Sequence, residues 1–204
     1  MIKTQRLFAL IGILILTGCA SALAPNVSSE TKALKSGQYA LDPTHASILF
    51  KIDHLGFSNY IGRFELFDAS LNFDEENPSL ASVEATIDMA SLDIANDSFA
   101  ETLLGPDWFD AGRFPQAVFR SGAINVTGQN TGTIAGELTL KGVTAPISLD
   151  VTFNGGARDL IRSAYIVGFS ATGTIDRTIF GIDRFAGVIG NDVKIEIEAE
   201  FSRN

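Results

Sequence analysis

From Tyr39 to the end of the chain the dominant period of apolar and polar positions is two. Ala46, Ile48, Phe50 and Ile52 alternate with Ser47, Leu49, Lys51 and Asp53. The same rhythm returns in Val83–Ile87, Ile134–Leu140 and Ile147–Phe153. It is longest near the end, where Val193, Ile195, Ile197, Ala199 and Phe201 alternate with Lys194, Glu196, Glu198 and Glu200. Alternation of this kind marks strands that are apolar on one face and wet on the other. Weaker runs at Tyr60–Phe73, Ala117–Val126 and Ala164–Ile175 bring the expectation to eight strands. Turn residues such as Asn77-Pro78, Gly128-Gln129-Asn130 and Asn154-Gly155-Gly156 separate them.

One region departs from this rhythm. Asn96 or Asp97 can cap a short helix running to Leu104, Gly105-Pro106 ends it, and a second turn follows at Asp107–Asp110. A short helical excursion is therefore expected near residues 97–110. The chain has no alternation of strand and helix, which excludes a parallel nucleotide-binding sheet. The expected fold is all-β, an antiparallel barrel or sandwich. Gly136, Gly168 and Gly173 fall among larger inward residues, and periodicity alone leaves a packed interior and a ligand cavity equally open.

The first residues read as an address. Lys3 and Arg6 precede an apolar run from Leu7 to Leu16, too short to span a bilayer core that needs about 20 residues. Leu16-Thr17-Gly18-Cys19 resembles the lipobox of bacterial lipoproteins. That resemblance implies removal of residues 1–18 as a signal peptide, a diacylglycerol thioether on Cys19, and fatty acylation (palmitate) of its new amino group. Residues 19–37 then read as a lipidated tether and 38–204 as the domain. Several acyl chains anchor stably where one is marginal, and Ala20 suits sorting to the outer membrane with the domain facing the periplasm.

Composition narrows the partners. The 204 residues carry 15 Lys and Arg against 24 Asp and Glu, a net charge of −9. Loss of Lys3 and Arg6 with the signal leaves 13 basic residues and a net of −11. Such a balance does not suit binding to nucleic acid and repels anionic lipid surfaces, so membrane attachment must come from the acyl anchor. A single cysteine excludes an internal disulfide, and two histidines exclude most histidine-built metal sites; no cofactor and no metal are expected. Phe is the abundant aromatic, with 15 copies.

Six blocks in order give the chain a family likeness. They are Asp42-Pro43-Thr44-His45 with Phe50 and His54; Gly62 with Phe64; Val83–Ser91; Asp107-Trp108-Phe109-Asp110 with Phe114-Pro115; Gly136–Pro146; and Thr174-Ile175-Asp176-Arg177 with Phe180-Gly181. Together Tyr39–Phe201 resembles the YceI family of bacterial envelope proteins, related in fold to lipocalins. The resemblance implies an eight-stranded, lipocalin-like antiparallel barrel. Its lumen would hold a polyisoprenoid lipid, either an isoprenoid quinone or a polyprenyl phosphate, for sequestration or transport. A strand of about ten residues runs roughly 33 Å, a length suited to an extended isoprenoid tail. Ala46 replaces the family's serine after the first histidine, and Thr102 stands where a histidine is frequent.

The candidate ligand contacts are Phe50, Ile52, Phe64, Phe109, Phe114, Phe119 and Phe169 along the lumen, with His54 and Arg63 at its mouth. Each has a plainer reading: the phenylalanines as ordinary core, His54 as a hydrogen-bonded interior histidine, Arg63 as a solvated cation. His45 and His54, nine apart on one strand, are expected on opposite faces and so not in one metal site. Asp176-Arg177 reads as a salt-bridged strand end, and Asp107 and Asp110 as helix-capping carboxylates. Gly168-Phe169-Ser170 lacks the spacing of a serine-hydrolase elbow. Nothing else supplies a nucleophile with its base, so the expectation is a binding protein and not an enzyme; the alternatives are a ligandless structural or interaction lipoprotein scaffold and, behind it, an enzyme acting on an envelope lipid or small substrate.

Overall fold

The computed structural model describes residues 24–203. Cys19, its lipidation and the 1–18 signal peptide lie outside the described residues. The chain forms β1 (Gly37–His54), β2 (Ser58–Phe64), β3 (Phe67–Phe73), β4 (Ser82–Asp88), β5 (Leu92–Asp93) and helix α1 (Asp97–Leu104). These are followed by β6 (Gln116–Val126), β7 (Thr131–Leu140), β8 (Val143–Asp159), β9 (Ala164–Asp176) and β10 (Ile189–Arg203). All pairings between these strands are antiparallel.

Ten strand segments make eight staves. β1 uses one edge twice: residues 48–54 pair with β2 and residues 37–40 with β3. β2 and β3 are thus one stave broken at Glu65-Leu66. β4 and β5 are another, broken by the single 3-10 turn Met89–Ser91. The other edge of β1 pairs with β10 from Tyr39↔Arg203 to His54↔Ile189, which closes the barrel and leaves no long free edge among the described residues. The eight expected strands and the helix capped by Asn96 are all present; the Asn96 side chain accepts from the Phe99 amide at 3.1 Å.

The two ends differ. At the end holding the start of β1 and the end of β10, Tyr39, Leu41, Leu71, Phe153, Val167 and Phe201 pack into a plug. Ala33 and Leu34 join it from the 3-10 turn at Thr31–Ala33. The Tyr39 hydroxyl donates to the Lys35 carbonyl at 2.6 Å and the Tyr165 hydroxyl to the Ala33 carbonyl at 2.5 Å. Residues 28–36 therefore belong to the barrel and not to a free tether, a correction to the sequence reading: Leu34 is isolated in sequence, and only the folded plug reveals its partners. Gly155 makes room for this segment. Its φ of +147° favours glycine, and a Cβ there would collide with a Val27 methyl carbon. The opposite end is not plugged; there α1 and the loops around it lean over the opening.

Candidate functional site

The inward faces of the staves enclose an apolar cavity of about 260 Å³ that reaches the open end. It exceeds the roughly 150 Å³ apolar void that stays dry and takes up benzene in an engineered protein. Ile48, Phe50 and Ile52 enter it from β1, and Val193, Ile195 and Ile197 from β10, as period-two alternation requires. Helix α1 contributes Phe99 and Leu103, one turn apart on the face turned to the barrel. Phe109 meets Phe64 edge-on with ring centroids 6.0 Å apart, and Phe64 lies 5.9 Å from Phe50.

Four of the 26 lining side chains among the described residues carry a nitrogen or oxygen: His54, Tyr60, Trp108 and Arg177. His54 and Tyr60 face each other across the β1–β2 turn at 6.3 Å between ring centroids, and Phe99 packs on Tyr60 at 5.7 Å. His54 is solvent-exposed at the mouth and its ring makes no hydrogen bond to protein among the described residues. It is thus not the hydrogen-bonded interior histidine of the plainer reading. The reason is that β1 ends at His54, and the strand's pleat carries the ring to the rim.

Arg177 is the buried charged residue of the described structure, 4% exposed. Its guanidinium is spent on backbone carbonyls: Nε donates to Gly190 at 2.9 Å, Nη1 to Ile182 at 2.5 Å and Arg184 at 3.0 Å, and Nη2 to Ile189 at 3.3 Å. Burial pulls its pKa below that of a free arginine, with Asp176 and Asp183 acting the other way. The expected salt bridge with Asp176 is absent among the described residues. The Asp176 carboxylate instead accepts from the hydroxyl and amide of Thr178, at 2.6 and 2.9 Å, which lowers its pKa.

The sequence-predicted contacts divide. Phe50, Ile52, His54, Phe64, Phe109 and Phe119 line the cavity. Arg63, Phe114 and Phe169 do not. Because Phe64 points inward, its neighbour Arg63 must point out. There its Nε donates to Asp93 at 2.9 Å and its Nη2 to Glu65 at 2.8 Å. Phe114 packs outside the lumen on the β7–β8 turn, where a Cβ on Gly142 would lie 2.5 Å from its ring. Phe169 is inward but belongs to the plug, 5.3 Å from Phe153 and 6.1 Å from Phe201. Asp107 and Asp110 do not cap α1 either. Asp107 pairs with Arg184 at 3.0 Å, and Asp110 turns the chain with a φ of 50°.

Sequence reasoning missed Tyr60, Trp108, Phe99, Leu103 and Arg177. Phe99 and Leu103 were legible as an i, i+4 apolar pair behind the Asn96 cap. The sequence marks Arg177 as half of a salt-bridged strand end, not as a lumen residue, because the carbonyls it binds converge on it only in the fold. Inward glycines also read differently in three dimensions. A Cβ on Gly136 would lie 2.6 Å from the Phe119 ring, so this gap is filled by Phe119 and adds no lumen space.

Away from the lumen, on the outer wall, Arg162 gathers three carboxylates. Its Nη1 donates to Asp42 at 3.0 Å and Glu200 at 2.7 Å, and its Nε to Asp159 at 2.8 Å. His45 Nδ1 lies 2.9 Å from Asp42. Asp42, His45 and Glu200 are close enough together to suggest cation ligands, but the guanidinium already supplies the positive charge they need. The hydroxyl of Thr44, then His45 and Arg162, hold the Asp42 carboxyl far below its usual range.

A closed eight-stranded antiparallel barrel, plugged at one end and with an apolar lumen open at the other, is the fold class. Comparison with known proteins gives the family: a YceI-like domain matches residues 39–201, and the chain belongs to that family. It is 32% identical over 200 residues to a UPF0312 protein of Shewanella putrefaciens, covering 97% of each chain. It is 36% identical over 196 residues to a UPF0312 protein of Pectobacterium atrosepticum, covering 96% of each. Among solved structures, BcnA of Burkholderia cenocepacia superposes with a TM-score of 0.71 at 26% identity, over 78% of this chain and 98% of that one. A polyisoprenoid binding domain from Saccharophagus degradans shares the fold, with a TM-score of 0.63 at 13% identity over 81% and 98% of the two chains.

Proposed function

We propose that this protein is a non-enzymatic lipid-binding module of the bacterial envelope that holds the tail of a polyisoprenoid in its lumen, with an uncharged head group at the mouth. The observation that supports this is the lining. Twenty-two of its 26 side chains have no nitrogen or oxygen, so an apolar chain satisfies the site and water does not. The same lining supports a neutral head group over a phosphate. A phosphate drawn inside would need cations, and Arg177 already donates four hydrogen bonds to carbonyls. An unpaired buried charge is far too costly to carry into such a site. A quinone asks only for a donor or two, which His54 and Tyr60 offer at the rim.

Anchoring through Cys19 in the outer membrane, facing the periplasm, is part of the same proposal and rests on the lipobox. Cys19→Ser should move the chain from the lipid-modified to the unmodified form on metabolic labelling with palmitate. The ligand reading is tested on Trp108, the one tryptophan of the chain, which lines the lumen. Added isoprenoid quinone should quench its fluorescence saturably at one molecule per chain, and polyprenyl phosphate should not compete. Equal competition by the phosphate would overturn the choice of head group. Absence of quenching by either would remove the lipid reading and favour a scaffold.

A further inference from the structure

The exposed apolar side chains of the described structure include just two phenylalanines, Phe57 at 87% and Phe185 at 54% exposed, and both stand at the mouth of the lumen. Phe57 is in the turn between β1 and β2; Phe185 is in the segment between β9 and β10. Leu55, Ile179 and Val188 are exposed on the same two connections. The pairing of His54 with Ile189 brings these connections side by side on adjacent staves. The far end also exposes apolar residues, Leu80, Val126, Leu160 and Ile161, but they are aliphatic and lie on separate turns around a plugged end.

The rim is built to present these residues. Leu55 and Phe185 sit at positive φ, 62° and 57°, in conformations that side-chain-bearing residues seldom adopt. Arg177 ties the second connection down through the carbonyls of Ile182, Arg184 and Ile189. Phe185 is further held against Trp108, 6.3 Å between ring centroids. This apolar surface adjoins the mouth of a lumen in which four of the 26 lining side chains among the described residues carry a nitrogen or oxygen.

We infer that this rim is a docking surface for a lipid bilayer, through which cargo passes between membrane and lumen without crossing water. Aromatic side chains favour the interfacial zone of a bilayer, and apolar loop tips partition there by burial. Charge plays little part. The chain's net charge is −9, Lys141 donates to the Gly181 carbonyl, and Arg184 pairs with Asp107. Docking is therefore expected on zwitterionic lipid and weaker on anionic lipid. A second copy of this chain is a poorer occupant, because two acidic bodies repel. The inference deepens the lipid-binding reading, but its test does not use the cargo.

Trp108 reports on the rim. The full chain is mixed with phosphatidylcholine and phosphatidylethanolamine vesicles whose acyl chains carry bromine either just below the head groups or near the bilayer centre. Shallow bromines should quench Trp108 strongly and deep ones weakly. The double variant Phe57→Asp, Val188→Asp should lose at least about tenfold of that quenching. Both positions are exposed, so the variant should keep its melting temperature, and any attachment through the amino-terminal segment should persist. Wild-type Trp108 unquenched by shallow bromines on vesicles that sediment with the protein overturns the inference. Concentration-dependent dimerisation that the double variant abolishes, with no quenching, overturns it too and assigns the rim to a second copy. Quenching that occurs while isoprenoid binding fails leaves docking standing and removes the lipid-cargo reading alone.

Discussion

Arg177→Met removes the guanidinium and keeps much of the side chain's length, so it isolates the hydrogen bonds at the lumen mouth. Four donations would be lost, three of them at 3.0 Å or shorter. Hydrogen bonds to charged groups are each worth about 1.5–3 kcal/mol. Against that stands the cost of keeping a 4%-exposed cation out of water, which the variant no longer bears. The carbonyls of Ile182, Arg184, Ile189 and Gly190 decide the balance, since methionine leaves them without a donor. A buried acceptor left without its donor costs about 1–3 kcal/mol, and with the relieved desolvation of the cation set against several such carbonyls the net loss is placed at roughly 3–5 kcal/mol. At about 2–4 °C per kcal/mol for a chain of this size, the melting temperature should fall by roughly 6–20 °C. Arg177→Lys should recover only part of it, because an ammonium cannot span carbonyls arranged for a planar fork. Thermal melts by circular dichroism read the effect, and hydrogen exchange localises it to residues 182–190. A fall below about 3 °C, or exchange that quickens at the plug instead, would refute the view that Arg177 holds the mouth together.

Three further outcomes follow from the packing and charge. Gly136→Ala puts a Cβ 2.6 Å from the Phe119 ring and 2.5 Å from the Arg120 carbonyl oxygen; it should cost about 1–3 kcal/mol by denaturant unfolding and push Phe119 into the lumen. Ala117→Phe, on the lumen wall, should fill space the ligand uses, lowering quinone uptake severalfold while leaving the unliganded melting temperature near that of the wild type. Folding lowers the pKa of Asp42, through Thr44 first and then His45 and Arg162. Its stabilisation is thus complete above the unfolded-state value near 4 and is lost as pH falls towards the native value. Unfolding free energy measured from pH 6 to pH 3 should decline, and Asp42→Asn should flatten that decline.

The period-two runs made the barrel legible because every stave has one dry and one wet face. The alternation of Ile48, Phe50 and Ile52, and of Val193, Ile195 and Ile197, carries straight into the wall of the lumen, and Ala199 and Phe201 continue it into the plug. Arg63 could have been placed by the same rule, since its neighbour Phe64 belongs to the inward set. The breaks at Glu65-Leu66 and Met89–Ser91 were not legible. They bend a stave without interrupting its alternation enough to mark an end. Long-range closure was hidden as well. Leu34 and Ala33 become plug residues only when they meet Tyr39, Phe153 and Phe201, and Arg177 becomes a mouth residue only when four backbone carbonyls converge on it. Phe169 and Phe119 look alike in sequence, yet one sits in the plug and the other in the lumen wall. Distance along the barrel axis decided between them.

The central claim is that the lumen carries a neutral polyisoprenoid, and its most direct test is the chemical identity of what the protein brings out of the cell. Residues 20–204, directed to the envelope behind a cleavable leader and purified without detergent, should yield an isoprenoid quinone on organic extraction and mass spectrometry. About one molecule per chain is expected, given a single continuous lumen. The same protein made in the cytoplasm and then exposed to the quinone should take it up to the same extent. Protein that emerges from the envelope with no lipid and takes up none when it is offered would contradict the account.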